Sequence, residues 1–340
     1  MRRLVIFCLS SLLMLNSYLV QADSALLQQN DVKNFINQMV KQHGFKKAEL
    51  KAVLNDAQFQ PQIIESMNKP YEKKGWDVYK QIFLTSDRVQ AGLDFWRANT
   101  ATLEKAEKKY GVPANIIVAI IGVETLYGKH QGNYRVLDSL STLAFNYPKR
   151  SAFFTKELSE FLLLCREHKV SPTEYLGSYA GAMGKPQFMP SSYRYYAADF
   201  SSNPKIDLMN DDSAVIASVA NYFHKHGWKM NQGIAQPARV DGLGYRSINS
   251  TNRKANYHLQ QLTAAGVKPL TAAINAPIKV GLIELTTQTG HEFWMAYPNF
   301  YVITRYNSSP QYAMAVFLLS QQLKTHWAKI TPTGKKYAYV

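Results

Sequence analysis

The sequence contains very little cysteine, and this excludes one class of protein. Cysteine accounts for 2 of the 340 residues, far too few for a small scaffold held together by disulfide bonds. Cys165 follows the apolar run at 161–164, so we predict that it packs in the core and is not a nucleophile. Internal repeats and low-complexity segments are also lacking, and a hydrophobic fraction of 46% excludes a disordered chain.

Acidic residues are scarce relative to basic ones. Lys and Arg number 39 against 24 Asp and Glu, which gives a formal net charge of +15. This balance favours a polyanionic partner, such as nucleic acid, an anionic membrane surface or an acidic polymer. The chain also has 21 tyrosines. Tyrosine often lines sugar and base sites, although many tyrosines in any protein pack in the core.

The N-terminal segment has the organisation of a secretory signal peptide. Within residues 1–22, two arginines precede a short apolar run at 4–15, and a small-x-small cleavage pattern ends at Ala22. The run is short for a membrane span, so an uncleaved anchor is the less favoured alternative. Cys8 lies inside the run and not after it, which argues against a lipoprotein anchor. We therefore expect a periplasmic protein whose partner is an acidic polymer of the cell envelope and not nucleic acid.

Hydrophobic periodicity predicts a mainly α-helical chain with a small β-rich insertion, an α+β protein. Apolar residues recur at helical spacing in the segments 32–40 and 50–54. Helix start and stop signals predict further helices at 87–110, 114–127, from 151 onward with Ser151 as its cap, 214–223 and 310–323. Glycines separate short β-type runs at 278–280, 282–285, 293–295 and 301–303.

These patterns predict six segments along the chain. They are a signal peptide at 1–22, an N-terminal helical domain at 23–110, a helical core at 111–230, an inserted small β domain at 231–300, a return helix at 301–330 that completes the core, and a tail at 331–340.

Glu124 is the most informative candidate for chemistry. It stands near the end of an apolar helical run, where desolvation would raise the pKa of its carboxyl. A carboxyl that stays protonated near neutral pH can act as a general acid towards a departing oxygen. The alternative is a structural glutamate that is paired with Lys or Arg or points to solvent.

The segment 178–193 is the second candidate. Its small residues allow close approach of a ligand to the backbone, Ser178 and Gln187 offer hydrogen-bonding groups, and its aromatic residues offer flat apolar faces. This mixture suits a sugar polymer, which has hydroxyl edges and apolar ring faces. The alternative is a corner where Gly and Ala allow helices to pack closely.

These two segments resemble a known family. VETLYG at Val123–Gly128 and SYAGAMGKPQFMPSSY at Ser178–Tyr193 are similar to the motifs of the lytic murein transglycosylase B family. The resemblance continues through Ala220–Phe223 and Ile303–Val316 and covers nearly all of the mature chain. It implies a lysozyme-like helical core, an N-terminal helical domain and a small inserted β domain.

The resemblance also implies roles for individual residues. Glu124 corresponds to the single catalytic acid/base of the family. The positions that correspond to substrate-binding residues are Ser178, Gln187, Met189, Tyr222, Tyr306, Asn307, Tyr312, Tyr79, Lys149 and Arg150. The last two match a pair of arginines near the stem peptide, and Lys149 keeps the positive charge without the planar guanidinium.

The chemistry implied by the resemblance is non-hydrolytic cleavage of the β-1,4 bond between N-acetylmuramic acid (MurNAc) and N-acetylglucosamine (GlcNAc). One glutamate serves first as acid and then as base, and the 6-hydroxyl of the muramic acid attacks to leave a 1,6-anhydro end. The motifs contain no second acid, whereas hydrolytic glycosidases need two carboxylates. The alternatives are a hydrolytic muramidase and a catalytically silent peptidoglycan-binding scaffold.

We expect no required cofactor. Some family members carry a calcium loop similar to an EF-hand, in the stretch that corresponds to 199–214. Here Pro204 replaces the turn glycine and no Glu closes the loop, although Asp199, Asn203 and Asp207 still offer oxygen ligands. Structural calcium is therefore the less favoured interpretation. The expected partners are glycan strands and stem peptides, together with enzymes of cell-wall synthesis or hydrolysis.

Overall fold

The computed structural model describes residues 26–69, 74–201, 205–251, 253–271 and 278–331. The signal peptide expected at 1–22 and most of the expected tail lie outside these residues. The described part divides into two compact units: one within Met1–Lys69, Gly132–Met183 and Phe188–Arg194, the other within Pro70–Gln131, Gly184–Gln187 and Tyr195–Val340. We call them unit 1 and unit 2. The boundaries of the six predicted segments stay a prediction.

Helices dominate the described residues, and the predicted fold class, mainly α with a small β-rich insertion (α+β), is confirmed. The helices are α1 (Asn30–His43), α2 (Lys47–Asp56), α3 (Pro61–Asn68), α4 (Trp76–Phe83), α5 (Ser86–Ala98), α6 (Thr100–Tyr110), α7 (Ala114–Thr125), α8 (Val136–Asn146), α9 (Ser151–His168), α10 (Pro190–Tyr196), α11 (Asp212–Lys225), α12 (Leu259–Ala264), α13 (Pro298–Ile303) and α14 (Pro310–Ile330). The strands are β1 (Tyr134–Arg135), β2 (Leu176–Gly177), β3 (Ala235–Val240), β4 (Val267–Pro269), β5 (Gly281–Thr287) and β6 (Gly290–Ala296). Short 3-10 turns span Pro148–Arg150 and Gly244–Ser247.

Unit 1 is built on helices that each bury one apolar face. In α1 the buried side chains are Val32, Phe35, Ile36 and Met39, which repeat at the predicted helical spacing. Helices α8 and α9 pack against each other, and Cys165 of α9 is a buried free cysteine, as predicted. The predicted helix cap at Ser151 is wrong: Arg150 holds the cap position, and the Ser151 hydroxyl donates to the carbonyl of Ala144.

Unit 2 contains α5, α6 and α7, where the prediction needed two corrections. The predicted helix 87–110 is two helices, because Asn99 (φ −117°, ψ 20°) leaves helical geometry and its side chain donates to the carbonyl of Phe95. The predicted helix 114–127 ends at Thr125, since Leu126 is left-handed at φ 50°. Helix α14 begins as predicted, with the Ser309 hydroxyl accepting a bond from the Tyr312 amide.

The β insertion of unit 2 is a four-stranded antiparallel sheet in the order β4-β3-β6-β5. The predicted runs 282–285 and 293–295 lie in β5 and β6, which pair as a hairpin. The run 301–303 was predicted as β and is helical in α13; Pro298 starts that helix, and burial of the run explains its apolar composition. The run 278–280 forms no strand beyond a single bridge between Val280 and Tyr257.

One face of this sheet carries a core cluster, and the other face packs against helix α4 at its β5–β6 end. Core side chains on one side are Ala238, Leu262, Val267, Val280, Leu282, Met295 and Tyr297. On the helical side, the carboxylate of Glu292 accepts bonds from Trp76 Nε1 and Lys80 Nζ, both at 2.9 Å. The sheet is thereby tied to α4.

No helix among the described residues has the length and apolarity needed to cross a bilayer.

Candidate active site

Glu124 lies at the end of α7, one residue before the helix terminates. The helix is apolar on all sides, and every residue of it is buried except Glu124, which is partly exposed although its carboxyl is enclosed by protein. A helix of this kind crosses the interior, and Glu124 is its one ionisable side chain. Burial raises the pKa of Glu124 to about 7, and a hydrogen bond from Tyr312 opposes the rise. The direction predicted from the sequence is confirmed, and at a pKa of about 7 a large share of the carboxyl is still protonated at neutral pH.

Tyr312 is the side chain that touches the Glu124 carboxyl. Its hydroxyl donates to Glu124 Oε1 at 2.5 Å, and 4% of the tyrosine is exposed. Tyr312 stands in the first turn of α14, which the Ser309 cap holds in place. Burial and the neighbouring carboxylate keep the pKa of Tyr312 well above its ordinary value, so the hydroxyl remains a donor.

Tyr306 and Tyr222 extend this site as a pair of packed rings. Their ring centroids are 4.9 Å apart. The Tyr306 hydroxyl donates to the carbonyl of Pro186 and the Tyr222 hydroxyl to the carbonyl of Arg305, each at 2.6 Å. Burial first and then the charge of Glu124 raise the pKa of Tyr306, and the same charge contributes at Tyr222, so both rings lie within electrostatic range of the carboxyl.

The loop Gly184–Gln187 is also part of unit 2. Gln187 adopts a left-handed backbone at φ 50°, and its Nε2 donates to the carbonyls of Gln131 at 3.0 Å and Gly184 at 2.9 Å. Both amide hydrogens are therefore used within the protein, and the Gln187 carbonyl oxygen is the group that can accept a bond from a ligand. The Thr125 hydroxyl donates to the carbonyl of Lys185 at 2.8 Å, which joins this loop to the end of α7.

Two other predicted residues of unit 2, Asn307 and Tyr79, make contacts next to this site. Asn307 Oδ1 accepts a bond from the Ser309 amide at 3.0 Å and so shapes the entry to α14. Tyr79 was expected at a cleft edge from the resemblance. The structure buries it to 3% exposure, stacks it on Trp76 and brings it within electrostatic range of Tyr312.

The remaining predicted residues belong to unit 1. The Ser178 hydroxyl accepts bonds from the amides of Ala180 and Ala182 and so closes a tight turn. Met189 is partly exposed, immediately before α10. Lys149 and Arg150 are exposed in a 3-10 turn. The guanidinium of Arg150 stacks over Phe153 at 4.4 Å and Phe154 at 5.1 Å.

The calcium candidates use their oxygens locally. Asp207 accepts bonds from the amides of Met209 and Asn210, and Asp199 accepts one from the amide of Phe200. Asn203 lies outside the described residues. Within the part of the chain that the structure describes, no cluster of three or more His, Cys, Asp or Glu side chains is positioned to hold a metal ion.

The site also contains polar residues that we did not single out from the sequence. Thr125 is 1% exposed and links α7 to the 184–187 loop. Lys185 Nζ lies 2.5 Å from Asp212 Oδ1, so that the side chain of the loop is paired with the first residue of α11. The bonding partners of Thr125 and Lys185 are distant along the chain, and no local sequence pattern predicts such a pairing.

Comparison with known proteins shows the family to which the chain is similar. A family model described as transglycosylase SLT domain matches residues 27–321. The chain is 42% identical over 301 residues to the membrane-bound lytic murein transglycosylase B of Escherichia coli (strain K12). The aligned region covers 86% of this chain and 82% of that relative.

Two solved structures from Pseudomonas aeruginosa are similar as well. The catenated lytic transglycosylase SltB1 has a TM-score of 0.82 and 42% identity, covering 88% of this chain and 98% of that one. SltB3, solved in complex with NAG-anhNAM-pentapeptide, has a TM-score of 0.74 and 27% identity, covering 90% of this chain and 79% of that one.

The elevated pKa of Glu124 predicts a pH-dependent stability difference between the wild type and Glu124→Gln. Ionising the buried carboxyl costs free energy, so wild-type stability is fully present below the unfolded-state pKa and declines as pH rises towards 7. Glutamine cannot ionise and still accepts the Tyr312 bond. We expect thermal or urea unfolding to find the variant more stable at pH 8 by roughly 2–3 kcal/mol, and the two proteins nearly equal below pH ~4.5. A difference that does not change with pH would contradict the assignment.

Proposed function

The chain belongs to the transglycosylase SLT domain family and is a peptidoglycan lytic transglycosylase, and we propose that it cleaves the MurNAc–GlcNAc β-1,4 bond without water, leaving 1,6-anhydro-MurNAc ends. The observation that carries this proposal is the buried Glu124 carboxyl, protonated near neutral pH and held by Tyr312. The relative crystallised with an anhydro-muropeptide, SltB3, supports peptidoglycan as the substrate class.

In the first step Glu124 is the general acid. Its proton goes to the glycosidic oxygen, the bond from that oxygen to C1 of the muramic acid breaks, and GlcNAc departs as an alcohol. The carbonyl oxygen of the substrate's own 2-acetamido group bonds to C1, and the positive charge passes to the resulting oxazolinium ring, opposite the negative charge of the Glu124 carboxylate. The pKa near 7 is matched to this step, because the proton is present at neutral pH and is still readily released.

In the second step the Glu124 carboxylate is the general base. It removes the proton of the 6-hydroxyl of the same muramic acid, whose oxygen attacks C1 while the acetamido oxygen leaves. The carboxyl is thereby protonated again, and no water is consumed. The Tyr312 hydroxyl stabilises the intervening carboxylate by donating to it.

The surroundings of Glu124 support a mechanism with a single acid. Hydrolytic glycosidases need a second carboxylate about 5–9.5 Å from the first. Among the described residues, the groups that shift the pKa of Glu124 include no other acid, and burial and Tyr312 account for the shift. The predicted motifs likewise contain one carboxylate.

We assign substrate contacts to the residues implied by the resemblance. The Gln187 carbonyl oxygen and the Ser178 hydroxyl are suited to sugar hydroxyl or amide groups, and Met189 to an apolar ring face. Further contacts are proposed for Tyr222, Tyr306, Asn307, Tyr312 and Tyr79. Lys149 and Arg150, exposed in their turn, suit the carboxylates of stem peptides.

The experiment is a digest of purified peptidoglycan, analysed by mass spectrometry, with Glu124→Gln beside the wild type. The wild type is expected to release anhydro-muropeptides. The variant keeps the shape of the side chain and has no proton to donate, so its rate should fall by about 10²–10⁴-fold. Glu49→Gln, at an exposed glutamate of α2, is the matched control and should cleave as the wild type does.

Two outcomes of this digest would contradict the proposal. Products with ordinary reducing ends, which take up ¹⁸O when the digest is run in labelled water, would make the protein a hydrolytic muramidase. Binding of both proteins to the sacculus with no cleavage by either would make it a peptidoglycan-binding scaffold. In that last case Glu124 would be structural.

We further propose that the protein is exported to the periplasm after cleavage behind Ala22, without a lipid anchor. The basic residues, short apolar run and small-x-small pattern of 1–22 support this. The relative in E. coli is named membrane-bound. The mature chain recovered from the periplasm is expected to start at Asp23, as read by N-terminal sequencing. Recovery of the intact 1–22 segment in the membrane fraction would instead indicate an uncleaved anchor.

We propose that catalysis requires no cofactor and that the 199–214 stretch binds no structural calcium. The carboxylate of Asp207 bonds to nearby backbone amides, and Pro204 occupies the position of the turn glycine in an EF-hand loop. The melting temperature is therefore expected to stay within about 1 °C when millimolar calcium or a chelator is added, since a ligand that binds the native state would raise it. A calcium-dependent increase that Asp207→Asn abolishes would contradict this.

Peptidoglycan glycan strands and their stem peptides are the proposed binding partners. The net charge of +15 supports an acidic polymer as the partner. Enzymes of cell-wall synthesis or hydrolysis are proposed as protein partners, and nucleic acid is not.

A further inference from the structure

The backbone directly after Glu124 adopts an unusual conformation. Helix α7 ends at Thr125, and the next two residues, Leu126 at φ 50° and Tyr127 at φ 58°, are both left-handed without being glycine. Side chains with a Cβ adopt this region at a cost in free energy, so two in succession require compensating contacts. The turn they form determines where the last residues of α7, Glu124 among them, are directed.

The ring of Tyr127 supplies the main contact. It enters between α5 and α7 at two glycines, where a Cβ added to Gly92 or Gly122 would lie 2.3 Å or 2.4 Å from the Tyr127 hydroxyl oxygen. The ring stacks on Phe95 with centroids 5.6 Å apart, and its hydroxyl donates to the carbonyl of Arg88 at 3.1 Å. The two glycines form a slot that no other residue type would leave open.

A second contact fixes the turn from its other side. The Thr125 hydroxyl accepts a bond from the amide of Gly128 at 3.0 Å and donates to the carbonyl of Lys185 at 2.8 Å. The residue after Glu124 is thus tied to the end of the turn and to the 184–187 loop. Between these two contacts the Glu124 backbone has little freedom, and its carboxyl meets the hydroxyl of Tyr312.

We propose that Tyr127 is a positioning residue, whose ring in the Gly92–Gly122 slot holds the left-handed turn and so directs the Glu124 carboxyl to Tyr312. The inference rests on the proposed function in one respect, namely that Glu124 is the acid/base. Tyr127 itself need not touch the substrate. Its contribution is geometric, and a small displacement of a catalytic group is costly because proton transfer depends on distance and orientation.

The decisive variant is Tyr127→Leu. Leucine removes the ring from the slot, while its backbone cost should be close to that of tyrosine, since Leu126 adopts the same conformation next to it. When the turn relaxes, Glu124 gains water, and its pKa should fall from about 7 towards the ordinary value. We expect kcat to drop about tenfold or more with KM changed less than about twofold. The loss of activity at rising pH should begin about one pH unit lower than in the wild type.

Two further variants test the slot itself. Gly122→Ala brings a methyl group into the space of the Tyr127 ring, so it should produce the same loss as Tyr127→Leu. The double variant should be no worse than either single one, because the methyl group then occupies space that the ring has left. Tyr127→Phe keeps the ring and loses the bond to Arg88, and its kcat should fall less than about threefold.

A matched control separates positioning from loss of stability. Val267→Ala shortens a fully buried side chain in the core of the β sheet, within the same unit and without contact to α7. It should lower the melting temperature and leave the pH profile of kcat unchanged. The titration of Glu124 can also be followed directly by ¹³C NMR of glutamate-labelled protein, with the Glu124 signal identified by its loss in Glu124→Gln.

The outcomes are distinct. A folded Tyr127→Leu protein with the wild-type kcat and the wild-type Glu124 titration would overturn the inference. So would a Val267→Ala protein that shows the same shift in pH profile. If the wild type cleaves no peptidoglycan, the proposed function fails, and the NMR titration still decides the inference, because it measures the surroundings of Glu124 without using the reaction.

Discussion

The site depends on the burial of one carboxyl at the end of an apolar helix. Every other residue of α7 is buried, so the helix lies in the interior of unit 2, and Glu124 is its one ionisable side chain. Burial opposes ionisation and sets the pKa near 7, while the Tyr312 hydroxyl prevents the carboxyl from being left without a partner. Desolvation and one hydrogen bond together hold a proton that is available at neutral pH.

The neighbouring tyrosines form a rigid frame around that carboxyl. Each of the hydroxyls of Tyr222 and Tyr306 donates to a backbone carbonyl, and that of Tyr312 donates to the carboxyl itself. Because the hydroxyl hydrogens are used in these bonds, each ring is fixed in orientation by a contact within unit 2. Gln187 is held in the same way, because both hydrogens of its side-chain amide are bonded to backbone carbonyls inside the protein.

Much of the fold could be predicted because its signals are local. The spacing of Val32, Phe35 and Met39 predicted α1, and Ser309 before Pro310 predicted the start of α14. The failures have local causes too. Tyr301, Val302 and Ile303 have β-type side chains and are buried in a helix, where burial and not strand geometry explains their composition. Asn99 divides a predicted helix by bonding to its own backbone, which periodicity does not detect.

The sequence by itself determined the candidate acid, Glu124, the apolar run that carries it and the motifs by which the family is recognised. It also determined the direction of the pKa shift, since a carboxyl at the end of such a run is desolvated wherever the helix packs. The tertiary structure alone decided which side chain meets the acid: Tyr312 is 188 residues away from Glu124. It alone decided that α7 ends in a left-handed turn, held by a ring that fits between Gly92 and Gly122. Contacts between distant segments depend on how helices pack against each other. The periodicity of a helix shows which of its faces is buried, but it does not show which distant residues that face meets.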